Sequence, residues 1–389
     1  MKAADRSVLR GKHTLSGFEA CAEGALSAGC RFLGYYPIRP SFDIIERFIA
    51  RSLDQDAVFV QMEDEISALA VVLGASWTGK KSMTVTSGPG LSQMMEHIGL
   101  GVMLETPCVI VDIQRAGTSL GLPCSTGGGD VMQARWGSHG DYEMIALAPN
   151  SPGEMFELTV RAFNLSEKFR TPVLILSDAA VGKEKGEISI PAPEDIEIQN
   201  RKYYKGKKDK YLPFKYDEED LVPPMVDIGQ GTRFHVTGLT HDERGYPVMS
   251  DTCQEWNIHR LVQKIRLFSD QIIEVEESRT EDADLVVVSY GAASIDAARA
   301  VKQARDEGIK AGHMRLVTVW PFPEKRVYEL ARNIDAFVVA EINYGQIAFE
   351  VERCGRGEAK NFFVHHSSSD VGKSSDILKS IRKAHGKKK

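Results

Sequence analysis

Six short apolar runs, several of them near-continuous in valine, isoleucine and leucine, alternate with helix-length segments between Arg31 and Asp178. No other feature of the chain limits its fold as much. The runs are Arg31–Tyr36, Ala57–Met62, Lys81–Ser87, Pro107–Gln114, Glu143–Pro149 and Thr171–Asp178. A strand without a polar side is buried on both faces, which is the habit of parallel sheets. The segments between the runs carry helix-start signals. Ser16-Gly17-Phe18-Glu19 and Ser151-Pro152-Gly153-Glu154 each place a glutamate three residues after a serine, so that side chains meet the first free backbone N–H groups. Pro152 suits the first helical position, where its missing N–H costs nothing. Strand–helix alternation of this kind means an α/β domain, here over residues 1–180.

The pattern then changes. Residues 181–255 hold Lys/Asp/Glu clusters, Pro223-Pro224 and several glycines without a period, and read as a linker with an irregular, strand-containing excursion. Residues 255–276 look helical. Beyond them Leu285–Tyr290, His313–Val319 and Ala336–Glu341 read as strands and Ile295–Glu307 as a helix, giving a smaller α/β domain within 256–389. Two or three domains are what 389 residues allow.

Charge and cysteine usage narrow the function. A net charge of −6 and a pI near 6.0 argue against a nucleic-acid partner. The basic end Lys387-Lys388-Lys389 reads as a short solvated tail. No run of 18 apolar residues is present, so no membrane span is expected. Met1-Lys2-Ala3-Ala4-Asp5-Arg6 is followed by no apolar core, so no secretory signal is expected. The six cysteines are scattered without a C-x-x-C pair, which suits reduced thiols, a cytoplasmic location, and no iron–sulfur motif of the chain's own.

Ligands of doubly wound sheets bind beyond the carboxyl ends of the strands. Four such ends are unusual here. Tyr35-Tyr36-Pro37-Ile38-Arg39-Pro40-Ser41 places a cation between two prolines, although a plain helix start reads the same way. Gln61-Met62-Glu63-Asp64-Glu65 puts three acids at a helix start, where dipole complementation explains two. Glu65 leads into a helix rich in small residues (Ala68, Ala70, Gly74, Ala75), whose close packing would raise its carboxyl pKa. Thr86-Ser87-Gly88-Pro89-Gly90 is a glycine turn that brings backbone near a ligand, but it is neither G-x-G-x-x-G nor a P-loop. Asp112-Ile113-Gln114-Arg115-Ala116-Gly117 sets a cation before a loop of small residues, as an anion site or a solvated surface loop would.

Taken in order, these segments resemble the alpha subunit of 2-oxoacid:ferredoxin oxidoreductases, nearest the 2-oxoglutarate-acting, KorA-like branch. The likeness runs from Gly17 to about Asp178 and from about Asp284 to Gln346. Gly137-Ser138-His139-Gly140-Asp141, Gly238-Leu239-Thr240-His241-Asp242-Glu243 and Trp320-Pro321-Phe322-Pro323 extend it. The resemblance implies a pyrimidine-type thiamine diphosphate domain followed by a transketolase-C-like domain. It places the activating glutamate on Glu65, which would favour the imino tautomer that makes the thiazolium ylid. It places cofactor contacts on Pro37, Ser87, Gly88, Pro89 and Gly90, and the grip on the substrate carboxylate on Arg115. Where the family usually has Tyr-Pro-Ile-Thr-Pro, this chain has Arg39. A second cation facing Arg115 would favour dicarboxylates such as 2-oxoglutarate over pyruvate or a branched-chain 2-oxo acid, with oxalate as an outlier. Arg39 pointing away to a neighbouring acid is the competing reading. His139 and His241 are left without a role.

Several family parts are missing. Gly129-Asp130-Val131 and Gly140-Asp141-Tyr142 lack the last glycine of the Gly-Asp-Gly segment that holds Mg²⁺ and the diphosphate, so no metal ligand is expected here. The resemblance therefore implies a beta subunit bearing Mg²⁺, the diphosphate grip and [4Fe-4S] clusters. It also implies further gamma or delta chains, ferredoxin as electron acceptor and coenzyme A as acyl acceptor. A thiamine-enzyme-like scaffold without catalysis is the alternative of another class. Nucleotide binding at Thr86–Gly90 is a third reading, and no nucleotide affinity is expected.

Overall fold

The computed structural model describes residues 8–367 and 370–386. The segment Met1–Arg6 and the end Lys387–Lys389, read above from sequence, lie outside them. In chain order the strands are β1 (Gly11–Ser16), β2 (Cys30–Tyr35), β3 (Val58–Gln61), β4 (Lys81–Thr86), β5 (Cys108–Ala116), β6 (Leu122–Thr126), β7 (Ile145–Leu147), β8 (Pro172–Asp178), β9 (Lys185–Ile190), β10 (Val275–Ser278), β11 (Leu285–Ser289), β12 (Ala311–Leu316), β13 (Thr318–Trp320), β14 (Ala336–Glu341) and β15 (Lys360–His365).

One sheet has the order β13-β7-β8-β5-β4-β2-β3, with β6 folded back on β5. The pairs from β7 to β3 are parallel. A second sheet has the order β10-β12-β11-β14-β15 and is parallel except for β10. The two-stranded pair β1–β9 closes the outside of the first unit. The central strands β4, β7 and β8 are buried throughout, as their apolar sequence requires. Helices start as the sequence indicates. Ser16 and Glu19 form a reciprocal cap on helix Gly17–Ser27, and Ser151 caps helix Pro152–Phe169.

Two strand readings and one helix reading need correction. The run His313–Val319 is not one strand. It splits at Val317, so that β12 stays in the second sheet while β13 crosses to the first and pairs antiparallel with β7. The N–H groups of Val317 and Thr318 both donate to the Glu274 carbonyl, which fixes the crossing point. Residues 255–276 are not helical throughout: helix Asp251–Arg266 and a turn at Ser269–Ile272 give way to β10. Nor is β3 buried on both faces, because it is the edge strand and leaves Val58 and Phe59 exposed.

The irregular stretch 191–250 is held to the first unit by buried ions. Arg201 pairs with Glu167 at 2.6 Å. Glu105 is fully buried, accepts from Arg260 at 2.5 and 2.9 Å and from Lys264 at 2.7 Å. Arg170 completes the cluster, binding the carbonyls of Glu105, Pro213 and Pro223. Burial alone would raise the Glu105 carboxyl, but the surrounding cations overcome it and hold it well below the usual range.

Candidate active site

Because β3, β2, β4 and β5 are parallel neighbours, their carboxyl ends lie side by side. The four unusual segments therefore meet at one edge. The three acids after β3 have different places. Glu63 is exposed. Asp64 is the N-cap of helix Glu65–Trp77 and accepts from the Ser67 N–H at 2.6 Å, a bond that holds its carboxyl below the ordinary value. Glu65 turns inward and is 3 % exposed. Burial raises its carboxyl above the ordinary range, and Asp64 adds to this while its own backbone amide and Arg115 oppose it.

Gly90 shows why the turn after β4 is glycine-rich. A Cβ there would stand 2.6 Å from Glu65 Oε1 and 2.2 Å from Thr86 Oγ1. Any side chain would displace the Glu65 carboxyl. Gly88 has a left-handed φ of 36°, packs against the Arg115 side chain, and donates its N–H to Asp112 Oδ1 at 3.2 Å. Pro89 occupies the first turn of helix Pro89–Met103. The Ser87 hydroxyl donates to the Ile113 carbonyl at 2.7 Å and ties β4 to β5.

Arg115, at the end of β5, is 6 % exposed. Its Nη1 donates to the Arg39 carbonyl at 2.9 Å, whereas its Nε is buried without a partner among the described residues. A guanidinium kept from water with an N–H to spare is arranged to take an anion. Arg39 meets Arg115 through its backbone, and its side chain is exposed. No ion pair to Arg39 is found among the described residues. Tyr36, Pro37 and Ile38 are half-buried beside it.

Gly88, Arg115 and Asp130 line a cavity of 590 Å³ whose far wall comes from the second unit through Asn343, Tyr344 and His365. Tyr344 stacks on His365 with ring centroids 4.1 Å apart. The second unit also grips the glycine segment Gly127–Gly129. Asn343 donates to the Gly128 carbonyl at 2.7 Å and Gln346 to the Gly129 carbonyl at 2.6 Å. Glu341, fully buried, receives Asn343, Tyr290 and the N–H groups of Ile347 and Ala348. These residues carry no functional signal in the sequence, and Asp112 and Asp130 appear in it only within motifs read for other residues. Asp112 was signalled, being an acid inside the apolar strand Val109–Ile113. The others depend on contacts between distant segments.

A larger hollow of 940 Å³ lies between Trp136 and Phe322. Several of its charges are paired, Arg135 to Glu143 at 2.9 Å and Arg353 to Glu324 at 2.6 Å. His139 and the segment Gly238–Thr240 line a third hollow, of 470 Å³. His241 is buried against Phe214, its Nδ1 on the Leu239 carbonyl at 2.8 Å. Neither histidine lines the Gly88–Arg115 cavity.

A buried carboxyl with raised proton affinity and a buried guanidinium at the carboxyl edge of a parallel sheet define an α/β enzyme site for an anionic organic molecule. Comparison with known proteins makes the class specific. Residues 23–258 match the thiamine-diphosphate-binding family of pyruvate flavodoxin/ferredoxin oxidoreductases, and residues 283–376 match core domain II of pyruvate:ferredoxin oxidoreductase. The chain belongs to this oxidoreductase family. It is 47 % identical over 371 residues to 2-oxoglutarate synthase subunit KorA of Methanothermobacter marburgensis, covering 95 % of this chain and 98 % of that one. Its identity to the subunit of the same name from Methanocaldococcus jannaschii is 48 % over 347 residues, with 88 % and 92 % covered. A solved 2-oxoglutarate:ferredoxin oxidoreductase from Magnetococcus marinus, with 2-oxoglutarate, coenzyme A and succinyl-CoA bound, superposes with a TM-score of 0.88 at 31 % identity. That match covers 96 % of this chain and 66 % of the other, so the present chain spans just under two thirds of that one.

The residues fit the cofactor the family implies. Gly90 leaves the Glu65 carboxyl the place that a Cβ would take, the neighbouring Thr86 Oγ1 is buried without a partner among the described residues, and burial raises the affinity of the Glu65 carboxyl for a proton.

Proposed function

We propose that the chain is the alpha-type subunit of a thiamine-diphosphate-dependent 2-oxoglutarate:ferredoxin oxidoreductase. The reaction is the coenzyme-A-dependent decarboxylation of 2-oxoglutarate to succinyl-CoA, or its reversal. The observation that carries the reading is the buried Glu65 carboxyl beside a guanidinium with an unpartnered N–H, Arg115. The high identity to 2-oxoglutarate synthase subunits supports the substrate.

Thiamine diphosphate, when bound, supplies the electron sink that decarboxylation of a 2-oxo acid needs. Glu65 holds a proton toward the cofactor's pyrimidine side, and its burial keeps that proton in place at higher pH than an exposed carboxyl would. Pro37 and the turn Ser87–Gly90 would hold the cofactor. Arg115 takes the substrate carboxylate, held in direction by the Arg39 carbonyl. The second carboxylate is assigned to the guanidinium of Arg39, which is exposed. A beta-type partner brings Mg²⁺, the diphosphate grip and [4Fe-4S] clusters, electrons pass on to ferredoxin, and gamma or delta chains complete the assembly in the cytoplasm.

The test is co-expression with the beta-type subunit and 2-oxo-acid-dependent viologen reduction by the purified complex. Turnover should be highest with 2-oxoglutarate. A preference for pyruvate, a branched-chain acid or oxalate would overturn the substrate, and no turnover with any 2-oxo acid would favour a scaffold. Arg39→Thr should lower the ratio of 2-oxoglutarate to pyruvate turnover by about twofold to fivefold, as loss of an exposed cation would. An unchanged ratio would remove Arg39 from substrate choice.

A further inference from the structure

Asp112 lies on β5 three residues before Arg115, and its carboxyl has no exposed surface. One oxygen, Oδ1, accepts the Gly88 N–H at 3.2 Å. The other, Oδ2, is buried and meets no donor. Asp130, at the end of the glycine segment gripped by the second unit, has the same defect: its Oδ2 is buried without a donor. The two side chains stand within hydrogen-bonding reach of each other. Two carboxylates so placed repel, and each leaves a buried acceptor empty, which is costly away from water. A single proton between them removes both faults, since each empty acceptor is then the other's partner.

We infer that Asp112 and Asp130 share one proton and act as positioning residues that hold the Gly88 turn and set the charge behind Arg115, so that the grip on an anionic substrate loosens when that proton is lost. Burial and the neighbouring carboxyl push Asp112 upward, and burial pushes Asp130 upward, which agrees. Arg115 is the charged group facing both, and it also faces Glu65, which Asp64 faces in turn. Gln114 adds only an amide, accepting the Asp130 N–H at 3.1 Å. With one proton the pair carries a single negative charge under the guanidinium. Without it the pair carries two, and Arg115 is drawn inward and neutralised from behind. Asp130 is set by the backbone that Asn343 and Gln346 hold, so the second unit helps to fix this charge.

The inference rests on Arg115 as the substrate grip, and the two separate experimentally. In the complete complex, KM for the 2-oxo acid should climb on the alkaline side by up to about tenfold per pH unit, as loss of one proton dictates, with kcat less affected. Asp112→Asn carries a permanent N–H toward Asp130 and still accepts from Gly88. It should flatten that climb, and Asp130→Asn should do the same. Asp112→Ala leaves Asp130 unpaired and should raise KM at every pH. Infrared spectra of the complex labelled with carboxyl-¹³C aspartate should show a protonated-carboxyl band that either asparagine variant removes. If Arg115→Gln raises KM but both asparagine variants keep the alkaline climb and the band, the shared proton is wrong. If Arg115→Gln leaves KM unchanged, the grip itself is wrong, whatever the pair does.

Discussion

Glu105 and Asp112 are both carboxyls with no exposed surface, yet one is saturated with partners and the other is left short. Around Glu105 three cations converge, and each carboxylate oxygen takes a charged donor. Around Asp112 a single backbone N–H arrives, and one oxygen stays bare beside another acid. The first arrangement fastens the irregular stretch 191–250 to the sheet. The second sits at the carboxyl edge, next to Glu65 and Arg115. A buried charge that is fully met builds structure; one left short keeps a proton or a bond free for chemistry.

Three substitutions would break or sharpen the contrast. The largest effect is expected from Glu65→Gln, which should lower 2-oxo-acid-dependent viologen reduction by about 10²–10⁴-fold while leaving the thermal midpoint where it was. Activity near wild type would remove Glu65 from the chemistry. Glu105→Ala should do the reverse. It strands buried cations and should cost about 3–5 kcal/mol in denaturant unfolding, with KM of the folded fraction unaltered. An unchanged midpoint would mean that the cluster fastens nothing.

Lys264→Met should act least at neutral pH, by roughly 1 kcal/mol or less, because Arg260 and Arg170 remain around Glu105. Its pH dependence is the sharper readout. Burial, and the neighbouring arginines, hold Lys264 down to about 8 despite Glu105. Between that value and the ordinary lysine range the unfolded chain keeps a proton that the folded chain has given up, so wild-type stability gains as pH rises there. The methionine variant lacks that gain. The difference between the two chains should move in favour of wild type from pH 7 to pH 10, and a constant difference would show that Lys264 does not titrate in this window.

Much of the fold was legible because apolar runs and capping pairs act locally. The strands of the parallel core were marked by their own side chains, and the Ser16 and Ser151 caps by residues three apart. β1, β6, β9, β10 and β15 carried no such mark, being exposed on alternate or most residues and defined by what they pair with. The split at Val317 was invisible because no glycine or proline interrupts the apolar run; the interruption is the Glu274 carbonyl, supplied from another element. In the site, Glu65 and Arg115 stood out as charges where strands end. Arg39 stood out for its side chain; the bond from Arg115 to its backbone carbonyl depends on how two distant segments meet and carries no mark in the sequence. Asp130 was read only for the glycine it lacks, since its approach to Asp112 depends on the Gly117–Gly129 loop folding back.

The crossing of β13 bears on how this chain can be taken apart. β7 has β8 on one side and β13 on the other. A fragment ending anywhere between β8 and Thr318 would leave β7 as a raw edge open to another chain. Grafts that exchange the N-terminal half between relatives therefore have to carry the donor's residues through Trp320 or supply a matching strand. The boundary that suits a genetic splice lies well past the point where the second sheet begins.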